Sequence, residues 1–357
     1  MTSAASAYAP APAATMPRLP MLDGWRALSI LAVLAAHMLP LGPARLRINV
    51  SAGNAGMGLF FALSGFLIAS TLAFHPSVRD FAIRRIARIV PVAWLFILAT
   101  FPFAHAPASA WLANLFFYAN NPPYRMVPIA GHMWSLCLEV QFYAAIAILF
   151  LVLRERSLAL LPVLCVAATL NRMLAGQTQD IATLYRVDDI LGGAALAYLY
   201  HGSFAPVLRR MLEHLHPAIP LALLGVASHP SFLGIGQFRP YFASAAIGAT
   251  LFQRSTRFNR LLESRPLAYL ASISYALYIW HPLTTHGWFD PAGKMAKYLR
   301  RPLGIGLSLL LAHVSTRFFE SYFIRLGKRL TNRRSVEPSS NAAPDAIARE
   351  TPSAQLV

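Results

Sequence analysis

The sequence predicts an all-α integral membrane protein, with about ten transmembrane helices in one bundle and both termini cytoplasmic. Three observations carry that expectation. The 357 residues are 56% hydrophobic and 13% charged, with a mean hydropathy of +0.49, far more apolar than a soluble domain of this length. Apolar runs recur along the chain at lengths near the roughly 20 residues that cross about 30 Å of hydrocarbon. Arg-rich segments alternate with them at 79–88, 154–156, 209–210, 254–265 and 325–334, and an inside N-terminus places all of these on the cytoplasmic face, as the positive-inside rule requires. The net charge of +17 then expresses topology and contact with anionic membrane lipid, and nucleic acid is not suggested.

Residues 1–20 are rich in Ala, Pro and Ser and lack an apolar core, so no cleavable signal is evident and a disordered tail is expected. The first apolar run, 22–42, holds Arg26 and His37. Eleven steps of about 100° return the two side chains to nearly one helix face, roughly 16 Å apart along the axis. Ionisable groups at such depth usually face a bundle interior or a wet cavity; the alternative is that Arg26 snorkels to the headgroups while His37 sits near the far interface. The second run, 54–74, carries Gly58, Ala62, Gly65 and Ala69 on one stripe, which predicts close packing against another helix.

The third run, 89–106, is preceded by Arg84, Arg85 and Arg88, with Pro91 after them. Arg85 and Arg88 share a face and can fork onto one polyanion. Orientation alone would also put arginines at a cytoplasmic helix start; three cations on the positive end of the helix dipole favour the anion-site reading. Residues 107–130 allow a half-helix or a re-entrant piece. In the fourth run, 132–153, Glu139 stands in an apolar helix with Ser135 one turn before and Tyr143 one turn after. A buried carboxylate there can pair with an Arg, accept a proton or orient a hydroxyl, whereas Trp134 and Tyr143 by themselves suit an interfacial belt.

The fifth run is 157–175. The sixth, 187–203, opens on Asp188 and Asp189, which favour the dipole and can pair with Arg186. Runs at 217–235, 240–253, 267–286 and 302–325 complete the count. The ninth run ends in Tyr275, Tyr278 and His281, which suit an interfacial belt at its outer end, and the last holds Glu320 with Arg317 one turn before it, an intrahelical pair. Between those two runs, KMAKYLRRP adds four positive charges on the outer side, suited to an anionic substrate or to a solvated loop. The membrane domain is thus expected over 21–330 and a second disordered tail over 331–357.

Cys137 and Cys165 both fall inside predicted helices without CxxC spacing, and the His residues lack the spacing of metal ligands, so neither a disulfide framework nor a metal site is expected. No nucleotide fingerprint, nucleophile elbow or inverted repeat is present.

Together these segments resemble the acyltransferase 3 family of integral membrane O-acyltransferases, from about Pro20 to Arg325. LDGWRALSILAVLAAH is similar to the family's first-helix motif of an Arg, ten residues and a His; GLFFALSGFLI to its second-helix signature; FAIRRIARIVPVAW to its Arg-x-x-Arg motif, here Arg85 and Arg88. HMWSLCLEVQFY, YRVDDILGGAALA, SYALYIWHPL and the final FFE follow in the family's order. Two positions depart from the pattern. Met57, Gly58 and Leu59 stand where an acidic residue commonly precedes the two Phe, and Val140 stands where a second acidic residue follows Glu139.

The resemblance implies an enzyme of the bacterial inner membrane that takes an acyl group, acetyl by family frequency, from cytoplasmic acyl-CoA (acetyl-CoA) and passes it to a hydroxyl of a surface polysaccharide or lipid-linked glycan. It implies His37 as general base, with Arg26 and Glu139 in the catalytic set, and Arg84, Arg85 and Arg88 holding the phosphates of coenzyme A. Trp134, Ser135, Tyr143, His281 and Glu320 are expected to contact substrate, and no metal is expected. No hydrolase-like extracytoplasmic domain is read in the sequence, so transfer is expected to be completed by the membrane domain or by a separate extracytoplasmic partner. No activated Ser or Cys stands out, which favours direct transfer over an acyl-enzyme. A small-molecule acceptor, such as a macrolide or oligosaccharide signal, and a flippase that forms no ester are the competing readings.

Overall fold

A computed structural model of the chain describes residues 18–202, 205–253, 256–285 and 294–332. Among the described residues the secondary structure is helical, without a strand. The order is α1 (Met21–Met38), α2 (Ile48–Phe74), α3 (Val78–Thr100), α4 (Ala108–Leu115), α5 (Trp134–Leu153), α6 (Arg156–Leu174) and α7 (Val187–His201). It continues with α8 (Pro206–His214), α9 (Ala218–Ala227), the single turn α10 (Leu233–Gly236), α11 (Arg239–Phe252), α12 (Arg257–Leu262) and α13 (Arg265–Trp280). The last helices, α14 (Lys294–Val314) and α15 (Ser321–Asn332), are joined by a π-helical turn, Ser315–Glu320. Five stretches are long and apolar enough to cross a membrane: Met21–Met38, Ala44–Phe74, Pro128–Leu153, Arg156–Leu174 and Leu299–Thr331. Each of the ten predicted apolar runs contains helix, and the expected half-helix is α4. The predicted tails lie almost wholly outside the described residues.

At the centre stands α2, packed on α1 and α7 and touched by α11 and α9. Its small-residue stripe works as predicted. A Cβ placed on Gly65 would come within 1.9 Å of the Ile190 carbonyl oxygen, and one on Gly193 of α7 within 1.7 Å of the Ala62 carbonyl oxygen. Each glycine lets the other helix's backbone approach, so close van der Waals packing takes the place of a hydrophobic driving force between two apolar helices.

Several boundaries differ from expectation for identifiable reasons. Helix α3 starts at Val78, well before the apolar run, because Ser77 caps it by accepting a hydrogen bond from the Asp80 N–H at 3.3 Å. Arg84, Arg85, Arg88 and Pro91 therefore lie inside the helix, and the dipole argument for an anion at its N-terminus does not apply to them. The run at 217–235 is divided into α9 and α10. KMAKYLRRP belongs to the first turns of α14, not to a loop. Arg317 and Glu320 do not pair: in the wider π-helical turn Glu320 instead accepts from the Thr316 hydroxyl at 2.9 Å.

Asp188 and Asp189 do more than cap α7. Asp188 pairs with Arg172 of α6 at 2.7 Å, and Asp189 takes both forks of Arg239 from α11, at 3.2 and 2.9 Å. Arg186, the expected partner, stands farther off at 3.6 Å from Asp189. All five side chains are buried, so the cluster ties α6, α7 and α11 together by charge-assisted bonds inside the apolar bundle.

Candidate active site

Two cavities open along α1. The first, about 650 Å³, is lined by His37 and Met38 of α1, Asn49, Asn54 and Met57 of α2, His132 and Trp134 before and at the start of α5, Tyr278 of α13, His281 after it, and Arg300 and Arg301 of α14. Nδ1 of His37 lies 2.8 Å from Nε2 of His281, with the rings nearly parallel at 12° and their centroids 5.0 Å apart. Nδ1 of His281 is in turn 2.7 Å from the Tyr278 carbonyl oxygen. The His132 ring stands edge-on to Tyr278 and His281, at 5.2 and 5.3 Å between centroids. Tyr278 Oη donates to the His132 carbonyl and lies 2.5 Å from Ser135 Oγ. Trp134 forms one wall, held from behind by the guanidinium of Arg186 at 5.1 Å from its ring centroid.

The second cavity, about 570 Å³, is lined by Arg26 of α1, Ser64 of α2, Arg84, Arg85 and Arg88 of α3, Glu139 and Tyr143 of α5, Tyr275 of α13 and Lys328 of α15. With Asp80, it gathers five cations against two carboxylates. The surplus of donors suits a polyanion. Glu139 is buried, and one of its oxygens accepts from Ser64 Oγ at 2.6 Å and Tyr143 Oη at 2.5 Å. Arg85 lies over the rings of Phe81 and Tyr143, at 5.6 and 5.2 Å, which fixes its planar fork. Arg84 donates to Thr331 Oγ1 at 3.3 Å, and Arg26 stands 3.9 Å from Asp23.

Between the two lies a small void of about 10 Å³, lined by Arg26, Ser29, Ile30, Val33, Met57, Phe60, Ser274 and Tyr278. Arg26, Phe60 and Ser274 also line the arginine cavity, while Val33, Met57 and Tyr278 also line the histidine cavity. The void thus marks a neck where the two cavities approach each other, about the size of a single water, with the stacked rings of Phe60 and Tyr278 at its side, 6.3 Å apart.

The predicted site residues divide between these places. His37, Trp134 and His281 line the histidine cavity, and Ser135 is buried behind it on Tyr278. Arg26, Arg84, Arg85, Arg88, Glu139 and Tyr143 line the arginine cavity. Glu139 thereby stands with the arginines and does not touch His37. Glu320 is buried and lines neither cavity. Tyr278 and His281 are buried also, so the belt reading does not hold for them. Sequence reasoning missed His132, Asn49, Asn54 and Lys328 as lining residues; the signal available was that His132 opens the HMWSLCLEVQFY segment and Lys328 lies in the basic segment 325–334.

Among the described residues this helical membrane protein thus holds a histidine cluster and a separate polybasic cavity on neighbouring stretches of one bundle. Residues 19–314 match the family described as an acyltransferase domain, so the chain belongs to the acyltransferase 3 family. It is 24% identical over 355 residues to the peptidoglycan O-acetyltransferase OatA of Listeria monocytogenes, covering 85% of this chain and 55% of that one. A putative peptidoglycan O-acetyltransferase, YrhL of Bacillus subtilis, is 28% identical over 312 residues, covering 74% and 48%. The O-acetyltransferase OatA of Staphylococcus aureus is 24% identical over 355 residues, covering 85% and 57%. The chain therefore spans about half the length of these curated relatives. No solved structure is similar to it at a significant level.

Proposed function

We propose that the chain is an O-acyltransferase of the bacterial inner membrane, spanning it about ten times with both termini cytoplasmic, that moves an acetyl group from acetyl-CoA to a hydroxyl of an envelope glycan. The observation that carries this reading is the pair of cavities that approach each other at the neck, with Arg26 in one and His37 in the other on a single helix. Arg85, Arg88 and Arg84 hold the phosphates of the donor from the cytoplasmic side, with Arg26 and Lys328 sharing the charge. The five cations fit that group, and Glu139 keeps them from repelling one another when no donor is bound. The acyl end of the donor reaches toward His37 through the neck.

At His37 the acceptor hydroxyl gives its proton to the imidazole as its oxygen attacks the acyl carbonyl. The carbon–sulfur bond then breaks, and His37 returns the proton to the leaving thiolate, so that ester and thiol are the products. Imidazole suits both transfers because its ordinary titration lies near neutrality. Trp134 offers a flat apolar face to a sugar ring, and Asn49 and Asn54 offer amides to its hydroxyls. The names of two relatives point to peptidoglycan as the kind of acceptor; a lipid-linked precursor is the form of it we propose, with a separate extracytoplasmic protein as a partner where a second transfer is needed.

The test is the O-acetyl content of the cell envelope, measured by proton NMR, in a deletion strain complemented with wild type, His37→Ala, or Arg85→Ala with Arg88→Ala, at equal membrane levels. Ester lost in the deletion and in both variants is the expected result. Unchanged ester in the deletion removes the glycan acceptor, and full activity in His37→Ala removes the base.

A further inference from the structure

We infer that His281 is a positioning residue that sets the tautomer of His37, so that the proton-accepting nitrogen of the base is Nε2. The inference rests on the reading of His37 as the base, and its physical content is independent of it. A carbonyl oxygen can only accept, so the 2.7 Å approach of His281 Nδ1 to the Tyr278 carbonyl places a hydrogen on that nitrogen. With the ring neutral, Nε2 of His281 then carries a lone pair. It faces Nδ1 of His37 at 2.8 Å, and two lone pairs cannot meet at that distance, so His37 Nδ1 is the donor. The lone pair of a neutral His37 is left on Nε2.

The backbone is the origin of this order. Tyr278 and His281 are three residues apart, and His281 begins the 3₁₀ turn His281–Thr284 that follows α13, where the Tyr278 carbonyl is one of the last of the helix and has lost its ordinary partner. The same tyrosine is held at its other end, where its hydroxyl donates to the His132 carbonyl. His281 itself is 1% exposed, so water competes poorly for either of its nitrogens. A chain of fixed donors thus runs from His37 to His281 to the Tyr278 carbonyl, in the manner of an acid that orients a histidine in a nucleophile triad, but with a neutral ring as the orienting group. When His37 takes the acceptor's proton on Nε2, its Nδ1–H still points at His281 Nε2, so no group has to turn over during the step.

Two substitutions separate positioning from structural support. Glutamine at 281 places its amide oxygen near where Nε2 stood, and so keeps an acceptor for His37 while losing the bond to Tyr278. Asparagine places its amide near where Nδ1 stood, and so keeps the bond to Tyr278 while losing the reach to His37. The experiment measures kcat and the donor KM of the full chain in lipid nanodiscs for wild type, His281→Gln and His281→Asn, using acetyl-CoA with a soluble chitooligosaccharide as probe acceptor. It is paired with nitrogen-15 NMR of the imidazoles, the His37 signals being assigned by comparison with His37→Phe. The expected result is a His37 protonated on Nδ1 in wild type and in His281→Gln, a kcat that falls roughly 100-fold in His281→Asn and much less in His281→Gln, and an unchanged donor KM. Asparagine outperforming glutamine, or a wild-type His37 protonated on Nε2, overturns the proposal. The NMR arm reads the tautomer even where neither variant turns over, and full activity in His37→Phe sinks the base reading without touching the tautomer assignment.

Discussion

Arg26 and His37 lie on one face of α1, three turns apart, and open into different cavities. A single helix thus sets the distance between the Arg26 charge and the His37 ring, to which the proposed function gives donor binding and proton transfer. The two residues are therefore expected to fail differently. Arg26→Gln raises the donor KM roughly tenfold and leaves kcat within a few-fold, since it removes one charge-assisted contact. His37→Gln lowers kcat by roughly 100-fold or more with little change in donor KM. Steady-state kinetics of the reconstituted chain separate the two, and a common effect on both parameters would show that the cavities do not have distinct tasks.

Arg85 and Arg88 lie on one face of α3 within a cavity open to solvent, so their hold on an anion is sensitive to screening. Arg88→Ala is expected to weaken donor binding by about 1.5–3 kcal/mol, the worth of a hydrogen bond to a charged group. The wild type is expected to lose donor affinity as salt is raised from low to physiological concentration, and the variant to lose less. Titration calorimetry with desulfo-coenzyme A at several salt concentrations measures both slopes; parallel slopes would mean that Arg88 does not face the anion.

The Asp189 carboxylate accepts both forks of Arg239 in a site closed to solvent. Asp189→Asn leaves that guanidinium buried without its counter-charge, at a cost of about 3–5 kcal/mol. The expected outcome is a marked drop in thermal stability in detergent, whereas Asp80→Asn, at the exposed start of α3, is expected to change it little. Thermal unfolding followed by circular dichroism compares them.

These consequences indicate which features were legible in the sequence. The helical class, the ten apolar runs and the tight α2 stripe followed from composition and spacing, because local periodicity encodes them. The grouping of Arg26 with Arg85 and Arg88 followed only from the family resemblance, and the contact of His37 with His281 was not read at all, since no spacing along a chain says that α1, α3 and α13 meet. The partners of Asp188 and Asp189 were not legible for the same reason: Arg172 and Arg239 are ordinary arginines in their own segments until the bundle closes. Helix α3 was misjudged because hydropathy marks where a helix is apolar, and Ser77 caps it three turns before the apolar run begins.

Gly65 and Gly193 form reciprocal contacts with the backbones of α7 and α2. Side chains there meet carbonyl groups that cannot swing aside, so overpacking cannot be relieved by a rotamer change. Gly193→Val is expected to cost at least about 1–3 kcal/mol and to lower the yield of folded protein. Gly306 has open space at its Cβ and also lies inside a helix, so Gly306→Ala is expected to be neutral or slightly stabilising. Size-exclusion profiles of a fluorescent fusion across a temperature series distinguish them.

The neck supplies the sharpest test of how the two cavities cooperate. Ser274 lines both the arginine cavity and the neck, and its hydroxyl bonds only to the Ala271 carbonyl of its own helix, at 2.8 Å. Ser274 is buried beside a void of about 10 Å³, so a larger apolar side chain there blocks the neck and also crowds it, and the three preparations are compared at equal folded yield. Ser274→Phe is therefore expected to leave the affinity for desulfo-coenzyme A within a few-fold of wild type, because the proposed phosphate site, at Arg85 and Arg88, lies away from the neck. Transfer is expected to fall roughly 100-fold, since the acyl carbonyl can no longer come within bonding distance of the acceptor beside His37. Ser274→Ala, which leaves the passage open, is expected to stay near wild type on both counts. Donor binding and turnover measured on the same three preparations decide it: turnover preserved in Ser274→Phe would mean that the acyl group reaches His37 by another route.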